Sequence, residues 1–438
     1  MSMSNNRVLL LGGNFYPEPT GIGKFNGEMV DWLTAHGYRC TVITSYPYYP
    51  FWQVQRPYIR KAYRYRYEIR NLMSYYATPI EIYRCPQYVP RNPTGFKRML
   101  LDFTFTLSAS LVLLKLLFDK RFDYVISVVP SFQLGLLGLL YRSIRGGKFL
   151  YHIQDLQIDA AKDLKMIRSP LLLGILFRLE RLILRHADVV SSISPGMIGR
   201  VSGKCNRDVL LFPNWVDTRS FFPVDDKPGL KKEFGFRQDD TVVLYSGAIG
   251  EKQGLDTILH TAASLADIPT LKFVICGTGP YLQRLKDLKA ELKLKNVVFM
   301  PLQPAKVLNR FLNMADIHLV VQKKKASDLV MPSKLTNILA TGGLSIVTAE
   351  KGSSLHQVIE RHRIGIAVEP EDPEALASAI CRSVSVDQSE IRNNARHYAT
   401  QTLSIDKVMV RYANHMKEIA GIPVHGIPET GGVTSAMK

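Results

Sequence analysis

Lys334 falls in the first turn of a short apolar helix, read from about Ser333 to Thr341 and stopped by Gly342-Gly343. Pro332 and Ser333 suit a helix start, and glycine suits the position past its end. Such a start offers unpaired N–H groups and the positive end of the helix dipole, so a phosphate is the ligand it fits. A capped helix with a solvated lysine fits the same residues. Other groups with chemical potential stand where strands are expected to end. They are Gly21-Ile-Gly-Lys24, Gln154-Asp155, Ser194, Gly247-Ala-Ile-Gly-Glu-Lys-Gln-Gly254, Gly277-Thr-Gly279 and Met300-Pro-Leu302. Glycines let the backbone approach phosphates, and a carboxylate such as Asp155 can accept a proton. Glycines after strands are also plain turns. No carboxylate pair has metal-ligand character, so no metal is expected. Cys40, Cys85, Cys205, Cys276 and Cys381 are scattered without a CxxC pair, which argues against zinc or a disulfide framework and suits a reducing compartment.

These groups need elements to position them. Arg7 to Leu11 reads as a parallel-type strand, followed by Gly12-Gly13, a loop reaching Lys24, a helix from Phe25 to His36 and a strand from Arg39 to Thr44. This is a βαβ unit, but it lacks GxGxxG and an acidic end to its second strand, so a dinucleotide site is disfavoured. Residues 46–98 read as an extended excursion, aromatic and proline-rich at first, with six cations and four tyrosines between Arg56 and Arg70. Helices follow at Met99–Asp119, Ser131–Ile144 and Arg168–His186, between strands at Tyr124–Val129, Phe149–Gln154 and Val189–Ile193. Beyond Phe212-Pro-Asn-Trp-Val-Asp217 a second alternating set begins at Thr241. The expectation is an α/β fold of two doubly wound, Rossmann-like domains facing a cleft. Their bounds are 1–215 and 216–403, with a crossing helix at 404–420 and a disordered tail at 421–438.

The 438 residues carry a net charge of +18, unevenly placed. Residues 1–215 hold 28 Lys/Arg against 14 Asp/Glu, and the remainder 28 against 24. A basic first half suggests an anionic partner there. The segment from Met99 to Phe118 is the longest apolar one, yet Asp102, Lys115 and four hydroxyl residues make it a poor membrane span. The N-terminal apolar run is brief, and reads as a buried strand and not a signal peptide.

At these spacings the chain resembles the two-domain GT-B glycosyltransferases, specifically family 4 of the retaining enzymes, and among them the bacterial colanic-acid and exopolysaccharide type. The resemblance runs from Arg7 to about Ala420. It is carried by Tyr151-His-Ile-Gln-Asp155, Ser246-Gly-Ala-Ile-Gly-Glu-Lys-Gln-Gly-Leu255 and Met331-Pro-Ser-Lys-Leu335. It implies a nucleotide-diphosphate sugar as co-substrate, UDP- or GDP-linked, with no further cofactor. Asp155, Lys334 and Gln154 would then be catalytic. Gly21, Gly23, Lys24, Gly247, Lys252, Gln253, Gly277, Gly279, Leu302, Ser333 and Asn337 would bind the donor. The chain also departs from the family pattern. Ala248 and Gln253 stand where an Arg and a Lys are common, with Lys252 one place off, and Leu329 and Asn337 stand where two glutamates are common. Asp328 is adjacent to the first of these. His152 shares a strand face with Gln154, and a buried, hydrogen-bonded role is expected for it.

The function expected is sugar transfer from a nucleotide sugar to a lipid-linked glycan acceptor in polysaccharide synthesis. The enzyme would be cytoplasmic, peripheral on the inner face of the membrane. Tyrosines and cations in 56–70, together with the segment from Leu101 to Phe118, suit an anionic membrane surface. No nucleic-acid motif is present. Two alternatives stay open: a nucleotide-sugar epimerase of the same fold, and a non-catalytic basic binding protein on a transferase scaffold.

Overall fold

The computed structural model describes residues 6–19, 21–72, 78–163, 167, 169–324 and 332–422. Thr20, Arg168, Asp328, Leu329, Met331 and the tail beyond Ile422 lie outside the described residues. The first half runs β1 (Arg7–Leu11), α1 (Gly21–Ala35), β2 (Arg39–Ser45), β3 (Arg66–Arg70), β4 (Ile80–Cys85), α2 (Gly95–Leu116) and β5 (Tyr124–Val129). It continues α3 (Leu134–Arg145), β6 (Lys148–Ile153), α4 (Gln157–Asp163), α5 (Pro170–His186), β7 (Val189–Ser192), α6 (Pro195–Cys205) and β8 (Leu210–Leu211). The sheet order is β3-β4-β2-β1-β5-β6-β7-β8, and only β3 is antiparallel to its neighbour. Strands β1, β5 and β6 are largely apolar because helices cover both faces. Helices α2, α3, α5 and α6 pack on one face and α1 on the other.

Three features differ from the sequence reading. The excursion at 46–98 contains β3 and β4, which extend the sheet. Strand β3, Arg-Tyr-Glu-Ile-Arg, is an edge strand with little apolar signal; its Glu68 pairs with Arg84, which β4 buries. Gly21 to Lys24 are the first turn of α1 and not a loop. Ser194 caps α6, its hydroxyl accepting the Met197 N–H at 3.3 Å, in a helix the apolar pattern does not announce.

The second half runs α7 (Lys227–Glu233), β9 (Thr241–Ser246), α8 (Asp256–Ser264), β10 (Leu271–Cys276), α9 (Leu282–Glu291), β11 (Val297–Met300) and α10 (Ala305–Asn313). It continues β12 (Ile317–Val320), α11 (Ser333–Ala340), β13 (Ser345–Thr348), α12 (Ser354–His362), β14 (Ile366–Val368), α13 (Pro373–Ser385) and α14 (Ser389–Tyr398). Its sheet, β11-β10-β9-β12-β13-β14, is wholly parallel. After α14 a π-turn at Ala399–Leu403 leads into α15 (Ile405–Ile419). The Val216 N–H donates to Leu403 at 2.9 Å, and the Ile405 N–H donates back to Val216 at 3.0 Å. Helix α15 buries Val408, Met409, Tyr412 and Met416 in the core of the first half. The rings of Phe212 and Tyr412 stack at 3.9 Å there.

Helix α2 is apolar on two sides. Leu101, Phe105, Ala109, Leu113 and Leu116 enter the core, while Phe96 (75% exposed), Phe103 (58%), Leu107 (60%) and Leu111 (57%) face outward, and Phe118 (91%) follows just past the helix end. The outward set recurs at helical spacing, and one charged residue, Asp102, lies on the buried side. Helix α2 is long and apolar enough to cross a membrane, but its inner side is part of the sheet's core, so it lies along the domain.

Candidate functional site

The strands of a doubly wound sheet carry their ligands at their carboxyl ends. In the second half these ends are the loops after β9, β10 and β12. Helix α11 begins beyond β12. Its N-cap is Pro332, no side chain caps it, and no acidic residue occupies its first turn. The Lys334 ammonium is buried without a hydrogen-bond partner among the described residues and lies 3.6 Å above the centre of the Tyr245 ring. It also borders Gly247: a Cβ on that glycine would stand 3.8 Å from the nitrogen. Burial pushes Lys334 from the usual 10.5 down to about 7. One turn along, the Asn337 side-chain oxygen is likewise buried and unpartnered. Residues three apart share a helix face, so α11 turns an unpaired cation and an unpaired amide oxygen toward one region. Buried polar groups are nearly always paired. Two orphans on one face beside a glycine loop describe a binding site.

The glycine loops have a second task. A Cβ on Gly277 would sit 1.9 Å from the Gly247 carbonyl oxygen, and one on Gly279 would sit 2.0 Å from that of Ile249. The Ile249 N–H donates to Thr278 at 3.0 Å. These two glycines therefore let one loop lie on the other, which holds Gly247 against Lys334. The Gln253 side chain accepts the Gly250 N–H at 3.1 Å and so closes its own loop. Ser333 is exposed at the helix start, and Leu302, 45% exposed, stands just past β11.

In the first half, β6 is followed by Gln154, which is buried, and Asp155, which is solvent-exposed although protein surrounds its carboxyl. Crowding raises the Asp155 carboxyl above its usual range, and the charges of Lys252 and Arg98 oppose that rise. Lys252 belongs to the second half, so a charge of that half acts on Asp155. His152 is buried, its Nδ1 3.0 Å from the Ser191 hydroxyl and its ring against Phe212; desolvation lowers it to about 3. It is a structural, neutral histidine. Lys24 lies 3.7 Å from Glu28 and over the Phe25 ring. Gly23 has a packing reason, since a Cβ there would meet the Glu18 carboxylate at 2.3 Å. Gly21 adopts φ 63°, a left-handed geometry glycine favours, beside Tyr49.

Several residues of this wall escaped the sequence reading. Asp102 reaches in from α2, its carboxylate accepting from the Ser131 hydroxyl at 2.5 Å and from the Gln157 amide. Its presence inside an apolar helix was the available signal. Glu18 is buried and accepts from Asn14 at 3.0 Å and from the Tyr48 and Tyr49 N–H groups at 3.0 and 2.9 Å; desolvation raises it to about 7. Arg98 stacks on Trp52, 5.0 Å from the ring centre. Asp102 apart, nothing local distinguishes these residues, because most of their partners are far away in sequence.

Two family models match the chain: a glycosyl transferase 4-like domain over residues 20–215 and glycosyl transferases group 1 over residues 226–402. The chain is 37% identical over 421 residues to the putative colanic acid biosynthesis glycosyl transferase WcaI of Escherichia coli K12, covering 94% of this chain and all of that protein. Among solved structures, sucrose-phosphate synthase of Thermosynechococcus elongatus superposes with a TM-score of 0.72 at 16% identity, over 95% of this chain and all of that one. HepE of Anabaena, solved with UDP, superposes with a TM-score of 0.68 at 13% identity, over 94% and 100%. The shared fold is GT-B.

Proposed function

The chain belongs to the group 1 and 4-like glycosyltransferases, and from that premise we propose that it is a retaining enzyme moving a hexose from a nucleotide-diphosphate sugar to a lipid-linked glycan acceptor. The setting proposed is bacterial exopolysaccharide synthesis of the colanic-acid kind. The observation that carries the donor side is the buried, unpartnered Lys334 ammonium beside Gly247, with Asn337 one turn along. A diphosphate seated there pairs with Lys334 and with the free N–H groups of α11, and Asn337 accepts from a ribose hydroxyl. The UDP bound by HepE and the name of WcaI support a nucleotide sugar as ligand.

In the reaction the bond between the anomeric carbon and the leaving phosphate oxygen breaks. The acceptor oxygen bonds to that carbon on the same face. Negative charge grows on the diphosphate, and Lys334 and α11 stabilise it where it develops. Asp155 orients the sugar or takes the acceptor proton, a task its raised pKa suits. Positive charge comes from the protein, so the proposal requires no metal, and chelator is expected to leave the rate unchanged. The test is Lys334→Ala: transfer and the thermal shift given by UDP, GDP or ADP are lost while the fold persists. Near-normal turnover overturns the assignment.

The acceptor side rests on the first half. The outer face of α2 is apolar along its length, and Lys97, Arg98 and Lys115 are the cations on that helix. We place this face on the anionic inner leaflet of the cytoplasmic membrane, with the protein peripheral to it. Flotation with vesicles containing phosphatidylglycerol, lost in a Phe103→Ser/Leu107→Ser/Leu111→Ser variant, is the expected result. Equal flotation of the two proteins overturns it.

A further inference from the structure

We propose that Asp102, Ser131 and Gln157 form a subsite for a sugar hydroxyl on the first-half wall of the cleft, with the Gln157 side-chain oxygen as its acceptor. The inference rests on the glycosyltransferase reading for the identity of the ligand as a sugar, but on separate residues. Asp102 is buried on the inner side of α2. Its two carboxylate oxygens take one donor each, Ser131 from the turn after β5 and Gln157 from the start of α4 after β6. The carboxylate thus ties together the carboxyl ends of two adjacent strands, the part of a doubly wound sheet where ligands bind.

The orientation of Gln157 follows from this tie. An ionised carboxylate accepts hydrogen bonds and donates none, so the amide nitrogen of Gln157 must face it. The amide oxygen then points the other way. That oxygen is buried, with no hydrogen-bond partner among the described residues. A buried acceptor fixed in direction and left unpaired calls for a donor from outside the chain. The Gln133 side-chain oxygen, two residues past Ser131, is buried and unpaired in the same way. Asp155 lies two residues before Gln157, and its charge acts on Asp102, as does that of Arg98. The ligand that fits an array of neutral acceptors among carboxylates is a polyol, whose hydroxyls donate. Asp102 is a positioning residue, since it acts through Gln157, and Gln157 touches the ligand.

The hydroxyl can belong to the donor sugar or to the acceptor sugar, and titration calorimetry on the full chain separates the two. The probes are UDP-glucose and GDP-mannose against UDP and GDP and, with nucleoside diphosphate bound, methyl β-D-glucoside. Gln157→Ala is expected to weaken one sugar ligand about tenfold, a loss of ~1.4 kcal/mol, while UDP or GDP affinity stays within twofold. Loss confined to the sugar nucleotide assigns the donor sugar; loss confined to the glycoside assigns the acceptor. Asp102→Asn is expected to weaken the same ligand, and the double variant to be no worse than Gln157→Ala alone, because both act through one hydrogen bond. A merely structural Asp102 gives additive losses that extend to the nucleotides. Unchanged affinity for every sugar ligand in Gln157→Ala overturns the subsite, as does an additive double variant. A wild type that binds no nucleotide fails the glycosyltransferase reading instead, and a glycoside titration run without nucleotide then decides the subsite alone.

Discussion

The two walls of the cleft solve opposite problems. On the second-half wall the Lys334 ammonium and the Asn337 side-chain oxygen are buried without hydrogen-bond partners among the described residues. On the first-half wall the buried carboxylates are already engaged: Glu18 by Asn14 and two backbone N–H groups, and Asp102 by Ser131 and Gln157. An unpaired cation costs stability until an anion arrives. A tied carboxylate costs less and fixes its neighbours. On the proposed function, this difference suits the second-half wall to a charged ligand and the first-half wall to neutral hydroxyls.

The sharpest way to break this comparison is to remove the cation. Lys334→Ala is expected to lower kcat/KM by about 10³, or ~4 kcal/mol, the scale of losing one preorganised stabiliser of developing charge. Asp155→Asn is expected to cost about 10² in kcat with donor affinity preserved, the scale of general acid–base help; donor titration beside turnover checks it. Stability is expected to move the other way. Lys334 titrates at about 7 in the folded chain against 10.5 ordinarily, so the unfolded chain binds more protons between those values and stability rises with pH across that window. Lys334→Met is therefore expected to stabilise the ligand-free protein most at pH 6, by on the order of 2 kcal/mol or a few degrees in Tm, with the gain shrinking as pH climbs toward 10.5. Calorimetric scans at pH 6 and 9 read it, and a destabilised variant at pH 6 would place Lys334 in a structural role. The smallest effect is expected from Asn337→Ala, a rise in donor Kd of about tenfold, ~1.4 kcal/mol. No change would remove Asn337 from the site.

Much of the second-half wall was legible in the chain. The segment from Pro332 to Gly343 announces a short helix by its punctuation, and α11 occupies Ser333–Ala340. Glycine loops follow β9 and β10 where apolar runs end. What those glycines do was not legible. Gly277 and Gly279 serve a backbone-to-backbone contact with the Gly247–Ile249 loop, and only the fold brings the two together. On the first-half wall the chain pointed to Gly21 to Lys24 and to Gln154-Asp155. Asp102, Ser131 and Gln157 are 29 and 26 residues apart in the chain. The pattern of α2 showed a stray carboxylate in an apolar helix and nothing about its partners.

By itself the sequence determined the alternation of strands and helices, the two-sheet architecture and the lysine at a helix start, because periodicity, glycine and proline act locally on the backbone. Tertiary structure alone decided that Lys334 is buried over Tyr245 with no partner, that β3 and β4 complete the sheet, and that Asp102 aims Gln157. Burial and pairing depend on which distant segments share a space, and these set the pKa of a lysine and the direction of an amide.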